Sequence, residues 1–383
     1  MTVVPSCAPG GPRVAGLDGM RGLAALYVVV HHCWLLTFPG YPANTGPGWL
    51  GWLIHGRLAV VAFIVLSGFS LAISPARNGW RLGGVLRFAR RRARRILPPY
   101  WAALAFSLVI AWTVIPQPHS GPPTGESVVV YGLLLQDVVS ALTPNGAFWS
   151  IGVEAELYLA FPLLLLIRRR AGAAALLACV TLPVIAYGMA ATGVTPVEGD
   201  NRLALHLLPA FAVGMVGAGV VSANDRIRRL PWHWLAVAAA APVGYLILHK
   251  GSVWTVHHYF WIDLAAAPVM AMVLAAVATG RPTALVRLLT GRPVVSLGTF
   301  SYSLYLVHLP IVMVISRKVA APHFAPGQPE FWVTLALAVP ISLGAARLFA
   351  ALFEIPFQRY RSWTSLMAAV RARRVCPSTD SDK

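Results

Sequence analysis

Residues 20–38 read MRGLAALYVVVHHCWLLTF and contain a single charged side chain, Arg21. As an α-helix this stretch rises about 28 Å, close to the ~30 Å thickness of a bilayer's hydrocarbon core. Similar apolar runs predict ten spans in all, near 20–38, 55–75, 98–116, 148–167, 172–192, 203–222, 234–249, 258–279, 294–316 and 331–352. We therefore predict an all-α, polytopic membrane helical bundle.

Composition supports a membrane protein. Of the 383 residues, 57% are hydrophobic and 11% charged, whereas soluble domains carry about 25% charged residues. Most of the 31 Lys and Arg fall on one side of the predicted spans, which by the positive-inside rule places both termini in the cytoplasm and the chain in the inner (plasma) membrane. A nucleic-acid partner is not expected, because such proteins gather basic charge on a soluble face.

The whole chain, 1–383, is predicted to be one domain. Residues 1–19 form a cytoplasmic lead without a cleavable signal, and 353–383 form a cytoplasmic tail. The apolar segment near 126–142 is predicted to be re-entrant or interfacial on the outer side, because a crossing there would export the three arginines at 168–170. The four cysteines lack metal-ligand spacing, so no metal is expected.

The first span places two ionisable residues on one face. Arg21 and His32 are eleven positions apart, which is about 1100° of helix rotation and leaves them within about 20° of each other. Asp18 lies three residues before Arg21 and is placed to pair with it. Ionisable groups at membrane depth usually line a polar pathway. The alternatives are a membrane anchor with its counter-ion for Arg21 and Asp18, and an interhelical hydrogen bond for His32.

The fourth span carries a second polar face. Ser150, Glu154 and Tyr158 are spaced four residues apart and therefore share one side of a helix. Glu154 has no basic neighbour in its span, so an ionised carboxylate needs a partner from another helix, and His32 and Arg21 are the candidates. The alternative is a glutamate wetted by the outer headgroups.

Further polar candidates lie in other segments. Arginines crowd the connection before the third span, where Arg92 and Arg95 suit either a phosphate-rich cytosolic ligand or anionic lipid headgroups. Ser67 with its neighbouring glycine suits helix packing or substrate support, and Tyr302 and His308 lie in the ninth span. Asp263 and Arg347, also within spans, are candidates for an ion pair.

Six ordered motifs resemble the membrane acyltransferase-3 family of integral O-acyltransferases. They are LDGMRGLAALYVVVHH (17–32), FIVLSGFSLA (63–72), RRRARRILPPYW (90–101), FWSIGVEAELYLAFP (148–162), GTFSYSLYLVHLP (298–310) and FEIPFQRY (353–360). The resemblance implies transfer of an acyl group, often acetyl, from cytosolic acyl-CoA to a hydroxyl of a sugar, glycan or glycosylated metabolite. Acyl-CoA would be a donor substrate, with no permanently bound cofactor.

The resemblance also implies roles for individual residues. His32 would be the catalytic histidine, Glu154 the second essential acid, and Asp18 and Arg21 the support of the histidine or the donor. Arg92 and Arg95 match the family's paired arginines. The role of His31 stays open.

We expect a neutral His32 to act as a base, with Glu154 or Asp18 hydrogen-bonded to its other nitrogen. Direct attack by the acceptor and a transient acyl-histidine are both compatible with the sequence. The rival function is a proton-coupled transporter or flippase in which His32, Glu154 and His308 form the path. A structural or sensing subunit would leave the aligned face of the first span without a purpose.

Overall fold

A computed structural model describes residues 14–118, 120–191 and 204–359. The α-helices in these ranges are α1 (Leu17–Thr37), α2 (Arg57–Arg77), α3 (Val85–Thr113), α4 (Gly125–Gly132), α5 (Trp149–Ala191), α6 (Leu207–Gly217), α7 (Asp225–Arg228), α8 (Trp232–His257), α9 (Tyr259–Ala278), α10 (Thr283–Thr290), α11 (Arg292–Thr299), α12 (Ser301–Val314), α13 (Gln328–Phe349) and α14 (Ile355–Arg359). A 3₁₀ segment, Gly48–His55, precedes α2, and π-helical turns extend α12 over Ile315–Ala320 and α13 over Ala350–Glu354.

Within the described ranges, eight helices are long and apolar enough to cross a membrane. They confirm an all-α polytopic bundle, with two differences from the ten predicted spans. The predicted spans 148–167 and 172–192 follow one another within α5, broken only at Gly172, whose φ of 92° is a conformation that glycine adopts readily. The predicted span 203–222 corresponds to a shorter apolar helix, Leu207–Ser222.

The segment near 126–142 contains only the eight-residue helix α4, too short to cross a bilayer. Two hydrogen bonds from α3 hold its end. The Tyr100 hydroxyl donates to the Tyr131 carbonyl at 2.8 Å, and the Trp101 indole donates to the Gly132 carbonyl at 2.9 Å. The segment therefore packs against α3 without crossing, as predicted.

Helix α1 lies at the junction of two apolar clusters. It packs against α2, α11, α12 and α13. One cluster is formed mainly by α1, α3 and α12, with Trp34 and Tyr100 fully buried. The other is formed mainly by α2, α5, α6 and α9, with Phe69 and Phe211 fully buried. The helix that carries His32 is therefore central to the bundle.

A close approach of backbones joins α2 to α6. A Cβ added at Gly68 would lie 2.1 Å from the carbonyl oxygen of Phe211, so nothing larger than glycine fits without moving a helix. We expect Gly68→Ala to cost about 1–3 kcal/mol and to lower the Tm in detergent by at least about 3 °C. Gly244→Ala is the control, because a Cβ there meets nothing within 4 Å. Equal Tm values for the two variants would contradict this packing.

Candidate active site

A cavity of about 660 Å³ opens where α1 ends and where α2, α5, α6 and α9 begin. Polar and aromatic side chains make up much of its wall: His31, His32, Tyr41, Arg57, Gln136, Asp137, Ser140, Trp149, His206, His257, Tyr259, Phe260 and Tyr305. Ligand sites are typically concave, with a few polar groups among apolar ones. Of the residues predicted for the site, His32 lies on this wall.

The contacts of His32 fix which of its ring nitrogens carries a proton. The Nδ1 atom of His308 lies 2.8 Å from the Tyr305 carbonyl and 3.2 Å from that of Leu304, so it carries a hydrogen and leaves Nε2 as an acceptor. The Nδ1 atom of His32 lies 2.8 Å from the Val28 carbonyl and 3.2 Å from His308 Nε2. Both neighbours accept, so Nδ1 of His32 donates, and a neutral ring keeps its lone pair on Nε2.

This arrangement corrects the predicted partner of His32. The sequence suggested Glu154 or Asp18 at its second nitrogen, but the structure places a backbone carbonyl and His308 there. Asp18 is fourteen residues from His32, about 21 Å along α1, and its carboxylate pairs with Arg21 at 2.8 Å. Asp18 therefore cannot orient His32 directly.

His31 is held differently from its neighbour. Its Nδ1 donates to the Leu53 carbonyl at 2.6 Å, and its ring packs on Gly56, where a Cβ would come within 2.2 Å of His31 Cδ2. The His31 and His32 rings meet edge to face with centroids 4.9 Å apart. His31 thus forms a wall of the cavity that links α1 to the turn before α2.

Glu154 sits in a hydrogen-bonded group where the beginning of α5 meets the middle of α2. Its Oε1 accepts from the Tyr158 hydroxyl and, at 3.1 Å, from Ser67 Oγ, which also lies 3.1 Å from the Tyr158 hydroxyl. These partners replace the predicted contact with His32 or Arg21. Ser67 therefore takes part in a hydrogen-bonded group as well as in helix packing. The charges of Glu154 and Arg92 also interact.

The three predicted donor-binding arginines gather near this group. Arg21 donates to Asp18 at 2.8 Å and to Ser70 of α2 at 2.6 Å, and the charge of Arg95 acts on it. Arg95 also acts on Arg92. Like charges held together are unfavourable unless an anion or a carboxylate offsets them, so the cluster suits an anionic ligand.

Arg92 has a spare donor in this cluster. Its guanidinium carbon lies 5.8 Å from the ring centroids of both Phe88 and Tyr158. Its Nε is buried and makes no hydrogen bond to any residue within 14–118, 120–191 and 204–359. A buried N–H without a partner is costly, and a phosphate oxygen would satisfy it.

The cavity and the arginine-rich connection lie at opposite ends of α2. Arg57, at the first residue of the helix, lines the cavity, and Arg77 ends the helix 20 residues and about 30 Å later, just before the arginines of α3. Ser67, with Glu154 beside it, lies midway. Along α1, Arg21 likewise lies toward the arginine-rich end and His32 lies at the cavity. The two side chains contact different helices, α2 and α12.

The remaining predicted residues hold helices together around the site. Ser150 Oγ lies 2.6 Å from the hydroxyl of Tyr305, which lines the cavity. The Tyr302 hydroxyl donates to the Ile96 carbonyl of α3 at 3.3 Å. Among the described residues, no three His, Cys, Asp or Glu side chains lie together as metal ligands would.

Sequence reasoning missed several polar contacts. The suggested pair of Asp263 with Arg347 is wrong, because Asp263 binds Arg57 at 2.8 Å whereas Arg347 lies over the Phe300 ring. Glu354 is buried and accepts from Ser303 Oγ at 2.5 Å. Neither partner could be found by spacing, because each contact joins helices distant in sequence.

Comparison with known proteins places the chain in a family. The family profile described as "Acyltransferase domain", that of the acyltransferase-3 family, matches residues 14–348. The chain belongs to the acyltransferase-3 family. The match covers most of the chain and confirms the resemblance on which the site residues were chosen.

Three curated relatives show which proteins the chain is similar to. The chain is 24% identical over 380 residues to YrhL of Bacillus subtilis, whose name is that of a peptidoglycan O-acetyltransferase (92% of this chain, 56% of YrhL). It is 24% identical over 355 residues to O-acetyltransferase OatA of Staphylococcus aureus (84% and 54%) and 28% over 320 residues to Acyltransferase MdmB of Streptomyces mycarofaciens (78% and 79%). The chain therefore spans about half the length of YrhL and OatA. No solved structure matches it significantly.

Proposed function

We propose that this acyltransferase-3 family member is an integral membrane O-acyltransferase. It moves a short acyl group, with acetyl as the expected one, from acyl-CoA to a hydroxyl of a sugar, glycan or glycosylated metabolite. The family match and relatives named as O-acetyltransferases support the reaction class. The observation that carries the proposal is His32 Nε2, an unprotonated imidazole nitrogen on a ring that lines a polar cavity.

The chemistry follows from that nitrogen. His32 Nε2 accepts the proton of the acceptor hydroxyl while the hydroxyl oxygen bonds to the thioester carbon. The carbon–sulfur bond breaks, and the departing thiolate takes the proton back from Nε2. The products are an ester and free CoA. The same lone pair would serve a route through acyl-histidine, in which Nε2 attacks the thioester first.

The donor enters, in this proposal, from the arginine-rich end. Arg21, Arg92 and Arg95 would hold the phosphates of acyl-CoA, and the unpartnered Nε of Arg92 supports an anion there. The acyl arm would then reach His32, about 16 Å along α1 from Arg21. In keeping with the positive-inside rule, this end would face the cytoplasm of a plasma-membrane protein, with both termini on that side.

The two acidic residues take supporting roles in the same proposal. Asp18 sets the position of Arg21 through its ion pair. Glu154 holds Tyr158 and Ser67 beside the donor path, near Arg92. Both act on the donor, whereas His308 acts on the base.

A labelling experiment tests the function. Purified protein in lipid vesicles receives isotope-labelled acetyl-CoA and a panel of glycosides, glycans and glycosylated metabolites, and mass spectrometry follows the products. We expect a labelled acceptor and free CoA in equal amounts. A transporter or flippase would move a solute across the vesicle without releasing CoA, so transport without acceptor labelling would reject the proposal.

A further inference from the structure

A second cluster of ionisable side chains lines the cavity away from His32. Arg57 Nε donates to Asp263 Oδ2 at 2.8 Å, and Arg57 Nη2 lies 2.8 Å from His206 Nε2. His206 Nε2 also lies 3.2 Å from Asp263 Oδ2, so the guanidinium, the imidazole and the carboxylate form one contact group. Arg57 and His206 both line the cavity, while Asp263 is fully buried behind them.

The guanidinium of Arg57 is held in place on several sides. Its Cζ lies 5.1 Å from the ring centroid of Trp149 and 5.2 Å from that of Tyr259. Rings at these distances attract the cation and restrict its plane. Arg57 Nη1 makes no hydrogen bond to any residue that the structure describes. The cavity therefore contains a fixed donor group with hydrogens to spare.

The positive charge that Arg57 brings to the cavity is compensated by a neighbouring carboxylate. The positive charge of Arg57 is matched by the carboxylate of Asp263. A second carboxylate, Asp137, lies on the cavity wall and accepts the backbone N–H of Ala204 at 2.9 Å. The charge of Arg57 is therefore already balanced within its own cluster, and an anion gains less there than beside an unpaired cation.

The chemical character of the wall fits a sugar ring. Aromatic side chains from several elements, Tyr41, Trp149, Tyr259, Phe260 and Tyr305, line the space beside the polar groups. Flat rings suit the C–H faces of a pyranose, and the guanidinium of Arg57 can donate to its hydroxyls. Such a site binds through shape and hydroxyl geometry and not through charge.

We propose that Arg57, held by Asp263 and His206, binds the hydroxyl acceptor, and that this site selects electrically neutral glycosyl groups over uronic acids and phosphorylated sugars. The inference rests on the proposed function, because His32 lines the same cavity and would act on the bound hydroxyl. Arg57 is then a specificity-determining residue, and Asp263 and His206 are positioning residues.

Binding is measured directly, so that the test does not depend on turnover. Isothermal titration of the full-length protein in detergent uses neutral methyl glycosides of glucose, galactose, mannose and N-acetylglucosamine, and the uronic acids that match the first three. The variant is Arg57→Gln with Asp263→Asn, because removing Arg57 alone would leave a buried carboxylate unpaired. Arg287→Gln, an exposed arginine of α10, is the control.

We expect at least one neutral glycoside to bind at least about tenfold more tightly than its uronic acid, and the double variant to lose at least about tenfold in affinity for it while Arg287→Gln does not. The double variant should also keep the wild-type KM for acetyl-CoA. Tighter binding of the uronic acids, unchanged affinity in the double variant, or no glycoside binding at all would overturn the inference. The proposed function fails separately, if glycosides bind but no label transfers from acetyl-CoA.

Discussion

His32→Ala is expected to remove acyl transfer altogether, with a loss of at least about 1000-fold in kcat. The variant lacks the Nε2 lone pair that takes the acceptor proton or attacks the thioester. The ring also contributes packing, since its centroid lies 4.9 Å from that of His308, so the folded state must be checked by gel filtration and Tm. Release of CoA in the presence of acceptor is the measurement.

The control for this variant is His323→Ala. His323 is exposed after the π-helical extension of α12, and its Nδ1 donates to the Val319 carbonyl at 2.8 Å. It should keep wild-type turnover. A folded His32→Ala protein with near-normal turnover would remove His32 from the reaction and with it the base assigned above.

His308→Ala should have the second largest effect, a loss of about 100-fold or more in kcat. His308 Nε2 is one of two acceptors that hold the hydrogen on His32 Nδ1, and it stabilises the cation that forms when Nε2 takes a proton. Without it, the His32 ring is free to turn and to carry its hydrogen on the other nitrogen. The KM for acyl-CoA should change little, because His308 lies on α12, away from the arginine cluster.

His308→Gln separates positioning from packing. An amide oxygen near the former Nε2 would still accept from His32, so this variant should recover at least about tenfold in kcat over His308→Ala. A purely structural role for His308 would instead lower the Tm of both variants and affect kcat and the KM for acyl-CoA together. Equal kcat for Gln and Ala would contradict the tautomer assignment.

The sequence predicted the fold well because one physical rule governs it. A helix that crosses lipid must pair its backbone N–H and C=O groups within the helix, and its side chains must be apolar over about 20 residues. Helices α1, α2, α9 and α13 follow that rule. The rule does not predict where one helix ends and the next begins. The two predicted spans within α5 continue through Gly172, where only the backbone angle of one residue changes.

The site was predicted less completely, because helical spacing gives the face of a residue and not its neighbour. Spacing placed Ser150, Glu154 and Tyr158 on one face of α5, and the structure joins Glu154 to Tyr158 there. The partner of His32 depends on the register between α1 and α12, which hydropathy does not report. The presence of His308, a titratable side chain inside the ninth predicted span, was the available signal.

The contacts of Arg57 with Asp263 and His206 also could not be predicted from spacing within one helix. Arg57 stands at the first residue of α2, where a sequence suggests a membrane-edge anchor, and Asp263 follows more than 200 residues later. Only the crossing of α2 and α9 brings them together. His206 precedes a short helix and had no spacing relation to either residue.

The turn from Leu53 to Arg57 joins parts of the site that have been treated separately. Leu53 and Gly56 hold the imidazole of His31, whose ring meets that of His32 edge to face, and the next residue, Arg57, lines the cavity proposed to bind the acceptor. The proposed acceptor recognition and the proposed proton transfer would then be linked through these five consecutive residues. A substitution that displaced this turn would alter selectivity and rate together, and variants of this family member that accept larger molecules should be sought there first.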